Sequence, residues 1–269
     1  MKRLTGYALI ILVLSSILVF DSCKRGDDDP FFSFRSRKAR VTGDWSFETK
    51  ESNIMQYFSN GYQTNIKFKV TGETVSETVD LINTPDDGSE TRNGVIKEAF
   101  YRFDKNSKME YLFHYELEVD STSVDENTNI TTYYKYVWTY KDRATGSWNF
   151  LSSIEDNGVN KYKNKERLSL IYQTYNTSEY YISNIRSVDE DGVTVFSSFS
   201  STSSSHENKF ANGENAQIWV LKELRNKKIV MERDVDDYTE NVYVISDSIS
   251  ASDHFQEKGF ETATLKPRQ

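Results

Sequence analysis

Hydrophobic and polar residues alternate along this chain with a period of two. In 62–70, Tyr62, Thr64, Ile66, Phe68 and Val70 share one face, and Gln63, Asn65, Lys67 and Lys69 share the other. In 109–119, Met109, Tyr111, Phe113, Tyr115, Leu117 and Val119 point one way. Glu110, His114, Glu116 and Glu118 point the other way, with Leu112 breaking the pattern. Tyr134, Tyr136, Trp138 and Tyr140 line one face of 133–140. Successive side chains of a strand point to opposite sides, so this pattern predicts antiparallel strands with one buried and one wet face.

Turn chemistry separates the alternating segments. Residues 104–108 (Asp-Lys-Asn-Ser-Lys) link a strand ending at Phe103 to one starting at Met109, and 225–228 (Arg-Asn-Lys-Lys) link Leu224 to Ile229. Gly158 and Gly192 close polar clusters where positive φ is needed, and 85–88 (Pro-Asp-Asp-Gly) sit in a longer loop. The serine-rich stretch 197–205 lacks periodicity and is expected to be a solvated loop. Roughly a dozen strands and no long helix predict an all-β, antiparallel, up-and-down barrel of roughly ten to twelve strands. Composition agrees: 17 Tyr, 16 Phe and 4 Trp accompany only three prolines and twelve glycines.

Two short motifs echo one another, Thr42-Gly43-Asp44-Trp45-Ser46-Phe47 and Thr145-Gly146-Ser147-Trp148-Asn149-Phe150. The first resembles the Gly-X-Trp opening of lipocalins. That resemblance implies that Gly43 allows a tight entry into the first strand and that Trp45 plugs one end of a barrel, with Gly146 and Trp148 as a second structural pair. The strand–turn–strand of 218–232 is similar to the closing hairpin of lipocalin-like bacterial lipoproteins. The repeated motif also allows two tandem small domains, 42–140 and 145–250. Only 141–144 separate them and each core would be very small, so one barrel over 42–250 is expected, with 251–269 as a C-terminal tail.

The N-terminus has a different character. Basic Met1-Lys2-Arg3 precedes a 14-residue run, Tyr7 to Phe20, that is mostly apolar. A membrane span needs about 20 apolar residues, whereas secretory h-regions take about 7–15. Small Ser22 then precedes Cys23, the only cysteine of the chain. This arrangement resembles the lipobox of bacterial lipoproteins of the Bacteroidota type, with Phe20 and Asp21 where the usual box has leucine and a small residue. It implies a signal peptide over 1–22, acylation of Cys23, and a linker over 23–41. Asp27, Asp28 and Asp29 are similar to the acidic signals that send such lipoproteins to the outer face of the outer membrane; a solvated linker or a periplasmic-facing anchor are the alternatives. In 31–40, Phe31, Phe32 and Phe34 with Arg35, Arg37, Lys38 and Arg40 either meet head groups or dock on the domain.

Charge and chemistry narrow the function. Cleavage after Ser22 removes Lys2, Arg3 and Asp21, leaving 31 basic against 40 acidic residues and a net charge of −9. That disfavours a nucleic-acid partner, which needs clustered cations. With Cys23 used for lipid, the domain has no disulfide and no thiol nucleophile. His206 and His254 lack local partners at metal-ligand spacing. His114 shares a strand face with Glu110, Glu116 and Glu118, but a zinc site there needs ligands from another strand. The acidic stretches 189–192 and 234–237 lack the full spacing of a calcium loop. No cofactor, metal site or enzymatic activity is expected. The expectation is a lipid-anchored outer-membrane binding module for a small apolar or amphipathic ligand. The alternative is an interaction or glycan-binding lipoprotein using Tyr134, Tyr136, Trp138 and Tyr140.

Overall fold

A computed structural model describes residues 36–269, except 86, 152–153, 157–158, 162–165, 214 and 247–248. A single helical turn, α1 (Arg37–Val41), leads into strands β1 (Gly43–Phe58), β2 (Gln63–Thr71), β3 (Thr74–Ile82), β4 (Gly88–Phe103), β5 (Lys108–Asp125) and β6 (Ile130–Leu151). A small hairpin, β7 (Ile154–Asp156) and β8 (Val159–Lys161), stands apart as its own sheet. The barrel continues with β9 (Glu166–Val188), β10 (Thr194–Lys209), β11 (Asn215–Arg225), β12 (Lys228–Ser246) and β13 (Ile249–Pro267). Eleven antiparallel strands form one sheet that closes in a ring, an up-and-down barrel. The two halves of the chain share this sheet, so the echoing motifs belong to one barrel.

The number of strands changes along the barrel axis. At one end, β1 pairs directly with β4, from Gly43↔Phe103 to Ser46↔Phe100. The ring there runs β1-β4-β5-β6-β9-β11-β12-β13 and returns to β1. Eight strands make an interior just wide enough for side chains to fill. Further along, the β2–β3 hairpin enters between β1 and β4, beginning at Thr49↔Thr71 and Thr74↔Val95. On the other side, β9 pairs with β11 only over 166–172 and with β10 over 174–188. The wall at that level therefore holds more strands and is wider. Among the described residues, β10 has no ladder partner other than β9, and β12 beyond Glu232 has none other than β13. The second end is consequently open.

Packing follows this geometry. The buried cluster fills the narrow end, with Trp45, Phe47, Tyr101, Phe103, Tyr111 and Trp148 at its centre. Phe103 meets Trp148 at 5.7 Å and Tyr101 at 5.4 Å between ring centroids, within the range of favourable ring pairs. Leu168, Leu170, Leu224, Ile229 and Leu265 are fully buried around them. Gly43 has φ +146°, a left-handed value that L side chains rarely adopt. Gly146 lies opposite Tyr172, where β9 changes partner, and a Cβ there would sit 2.0 Å from the carbonyl oxygen of Ile171.

α1 closes the narrow end. The Ser36 hydroxyl caps it by accepting from the Ala39 amide at 3.2 Å. Arg40 donates to the Leu224 carbonyl at 2.6 Å, Arg37 pairs with buried Glu166, and Lys38 donates to Ser107 at 3.1 Å. These three cations are thus engaged by the barrel, so for Arg37, Lys38 and Arg40 the docking alternative holds and the head-group alternative does not.

Two further expectations are corrected. The serine-rich stretch is not a loop. It forms most of β10, whose side chains are exposed on both faces, so no alternation marks it in the sequence. Residues 251–269 are not a tail. All but the last two belong to β13, which pairs with β12 and, from Phe255 to Pro267, with β1 and closes the ring. Removal of 251–269 is therefore expected to abolish cooperative unfolding altogether, rather than trim a tail. Urea titration followed by circular dichroism checks this, and a sigmoidal transition in the truncated chain would contradict the closing role of β13.

Candidate functional site

The inner face of the wide end is set by register. Trp138 pairs with Leu117 of β5 and Tyr181 of β9, and Tyr181 with Thr202 of β10. Leu117 is fully buried, so Trp138, Tyr181 and Thr202 point into the barrel. The next inward rows are Tyr136, Ser183, Ser200 and then Tyr134, Ile185, Ser198. An aromatic ladder therefore runs up β6, flanked by hydroxyl side chains of β9 and β10. Ring centroids are 6.3 Å apart for Tyr134–Tyr136, 6.1 Å for Tyr136–Trp138 and 5.4 Å for Trp138–Tyr181. All four rings are half-buried on this inner face.

Tyr140 differs from the other three ladder residues. It stacks on Tyr115 at 5.0 Å and packs against the core, forming the base of the ladder. Tyr133 is on the opposite face and 49% exposed, on the outside of the barrel. Trp45 and Trp148 lie at the closed end. Their indole N–H groups donate to the Val41 carbonyl at 2.7 Å and the Asp104 carbonyl at 3.2 Å, tying α1 and the β4–β5 turn to the core. Cys23, Asp27, Asp28 and Asp29 lie outside the described residues.

Four inward residues near the ladder, Arg92, Glu90, Glu77 and Tyr181, have no counterpart in the sequence reading. The Arg92 guanidinium carbon lies 4.2 Å from the centre of the Trp138 ring, a cation–π contact. Arg92 also bonds Glu90 through Nε and Nη2, each at 3.0 Å, and approaches Glu77 at 3.7 Å. Burial pushes the Glu77 carboxyl above the usual range, against the opposing pull of Arg92. Glu77 was detectable in principle, because it is in phase with Val75 and Val79. Tyr181 and Arg92 required the register.

Between the core and the open end lies a buried polar layer. Lys50 Nζ sits 3.8 Å from Glu261 and 4.8 Å from the centre of the Phe113 ring. Arg233 pairs with the other oxygen of Glu261. Burial pushes the Glu261 carboxyl up, but Lys50 and Arg233 outweigh it and hold it below the usual range. Asp142 has weaker support. Burial raises it, while Lys50 and a hydrogen bond from Tyr175 only partly compensate.

The outer wall has a different composition. One groove outside β5, β6 and β9 is lined by Asp120, Thr122, Lys135, Asn184 and Arg186, with Tyr133 at its side. His114 faces outward opposite Glu98 and Lys141, and burial followed by Lys141 and Lys97 lowers its pKa. Asp189 accepts from the Asp191 and Val193 amides, which makes it a turn residue. Among the described residues, no group of three His, Cys, Asp or Glu side chains is placed to hold a metal ion.

The chain matches no family model, no curated protein and no solved structure.

The polar layer makes a pH-dependent prediction. Asp142 is raised in the folded state, so its neutral form is favoured there and stability is lost as pH rises from its ordinary value of 3.8 through the folded value. Asp142→Asn keeps an acceptor for Tyr175 without the buried charge. The variant is expected to be more stable than the parent at pH 7, with the difference closing towards pH 4. Thermal denaturation across pH 4–8 measures this, and a variant less stable at pH 7 would show that the carboxylate is net favourable.

Proposed function

We propose that this chain is a lipocalin-like outer-membrane lipoprotein of the Bacteroidota type, and that it acts as a non-catalytic binding module through the open end of its barrel. One observation carries the reading. The narrow end is packed solid and receives the incoming chain through α1, whereas the wide end presents the ladder of Tyr134, Tyr136, Trp138 and Tyr181 on its inner face. An anchor at Cys23 would thus lie on the side of the closed end. The open end would then face away from the membrane, where a ligand in solution can enter. Half-buried rings inside a concave wall are the usual furniture of a small-molecule site.

A second reading is favoured by β10. Among the described residues its outer edge has no ladder partner over 194–209, it carries no charge or proline from Thr194 to Ser205, and Phe199 is 67% exposed. Natural edge strands are normally guarded by charges, prolines or bulges. Such an edge suits a strand contributed by another surface protein.

The binding reading is tested on the intact lipoprotein. Native mass spectrometry of the detergent-extracted protein is expected to show a bound small molecule in the parent and its loss in Tyr136→Ala/Trp138→Ala. Identical ligand-free masses for both would remove the support for a ligand site. The anchor is tested separately: Cys23→Ala should shift the protein from the membrane fraction to the soluble fraction, and unchanged fractionation would refute lipidation. Replacing Asp27, Asp28 and Asp29 with alanine should abolish protease accessibility on intact cells, and unchanged shaving would overturn surface export.

A further inference from the structure

The ligand class follows from what surrounds the ladder. Register places Glu77, Glu90, Glu179, Asp237 and Glu257 on the inner face of the wide half. Glu77 and Glu90 follow from their pairing with Arg92 and Val79, in phase with buried Val75. Glu179 lies between Tyr140 and Ser204. Glu257 pairs with inward Gln56 on one side and with Asp237 on the other. Against these five carboxylates, Arg92 is the only lysine or arginine that the described registers place inward at this level. Lys50 and Arg233 lie lower and are occupied by Glu261.

Two details bear on how this charge is used. Asp237 and Glu257 are direct cross-strand partners, an arrangement of like charges that costs stability. Arg92 also shows that the Trp138 ring accepts a cation in this setting, since its guanidinium already lies over that ring with Glu90 as counter-charge. A concave wall of one sign with low-dielectric rings concentrates opposite charge from solution.

We infer that the open end selects an amphipathic cation, an apolar or aromatic body lying on Tyr134, Tyr136, Trp138 and Tyr181 with an ammonium or guanidinium group held by the ring faces and the neighbouring carboxylates. This rests on the open-end binding reading and narrows it: an anionic amphiphile such as a fatty acid is excluded by charge. Arg92 competes with the ligand for the face of Trp138, and so acts as an internal occupant that weakens binding.

The test uses the intact lipoprotein in nanodiscs of zwitterionic lipid and three probes sharing one ring: benzyltrimethylammonium, benzenesulfonate and phenyl β-glucoside. Binding is read from saturable change in tryptophan emission, with Trp138→Phe as the control that removes the reporter. The ammonium probe is expected to bind about tenfold more tightly than the sulfonate, as a cation on a ring face does, with the preference shrinking as salt is added. Glu90→Gln should weaken the ammonium probe roughly threefold, the scale of an exposed charge contact. Arg92→Met should strengthen it, a direction that mere structural damage would not give. Equal or tighter binding of the sulfonate or the glucoside, with the Trp138 signal intact, overturns the charge selection while leaving the open-end site in place. No Trp138-dependent signal from any probe overturns both.

Discussion

Closure of the sheet on itself is the constraint from which the rest of the structure follows. A ring of eight strands leaves room for side chains and nothing else, so the level at which β1 pairs with β4 and β9 with β11 must be solid. The sequence meets that demand with large rings: Trp45, Phe47, Tyr101, Phe103, Tyr111 and Trp148 occupy one continuous cluster. With no cysteine in the barrel itself, strand pairing and this packing hold the fold. The wide end exists because two hairpins, β2–β3 and β9–β10, extend beyond the closed ring. Each adds wall without adding enough side-chain volume to fill the larger interior.

The buried polar layer marks the boundary between these regimes. Lys50, Glu261 and Arg233 would be poor core residues, because desolvating three charges costs more than their pairing returns unless the geometry is good. Here each charge has a partner or a ring face: Arg233 packs 5.5 Å from Trp219 and Lys50 4.8 Å from Phe113. Such a layer specifies which side of each strand faces in, since slipping a strand by one residue would expose the core and bury unpaired charge. Asp142 is the imperfect member, and its raised pKa records that imperfection.

Legibility in the sequence tracks this division. The alternation in 62–70, 109–119 and 133–140 was readable because those strands have apolar residues facing in and polar residues facing out. The turns at 104–108 and 225–228 were readable from local chemistry, and Leu112, the exception, is buried on the outer face beside Phe100. Alternation fails where the inside is wet. β10 carries serine and threonine on both faces, so it has the signature of a loop. β13 presents Glu257, Gly259 and Glu261 inward between Phe255 on one side and Ala263 and Leu265 on the other, so its apolar phase is interrupted and it has the signature of a tail. The ladder on β6 was visible as a run of aromatics, but its direction was not. Sequence spacing says that Tyr134, Tyr136 and Trp138 share a face; only the register with Leu117 and Tyr181 says that the face is internal.

The same reasoning explains why the two errors and the missed site residues fall in one place. A position that faces a packed interior is constrained to be apolar, and pattern reading exploits that constraint. A position that faces an open, hydrated interior is free of it, and its residue reflects whatever the interior does. The inward carboxylates Glu77, Glu179 and Glu257 break the apolar phase of β3, β9 and β13 at the level where the barrel widens. Glu77 shows that this departure has a cost, since burial disfavours its ionised form even with Arg92 beside it. A hydrophobic residue at position 77 would extend the core upward and close the space beside Trp138. The loss of hydrophobic phase along those strands is therefore the physical condition for an interior that stays open above the core.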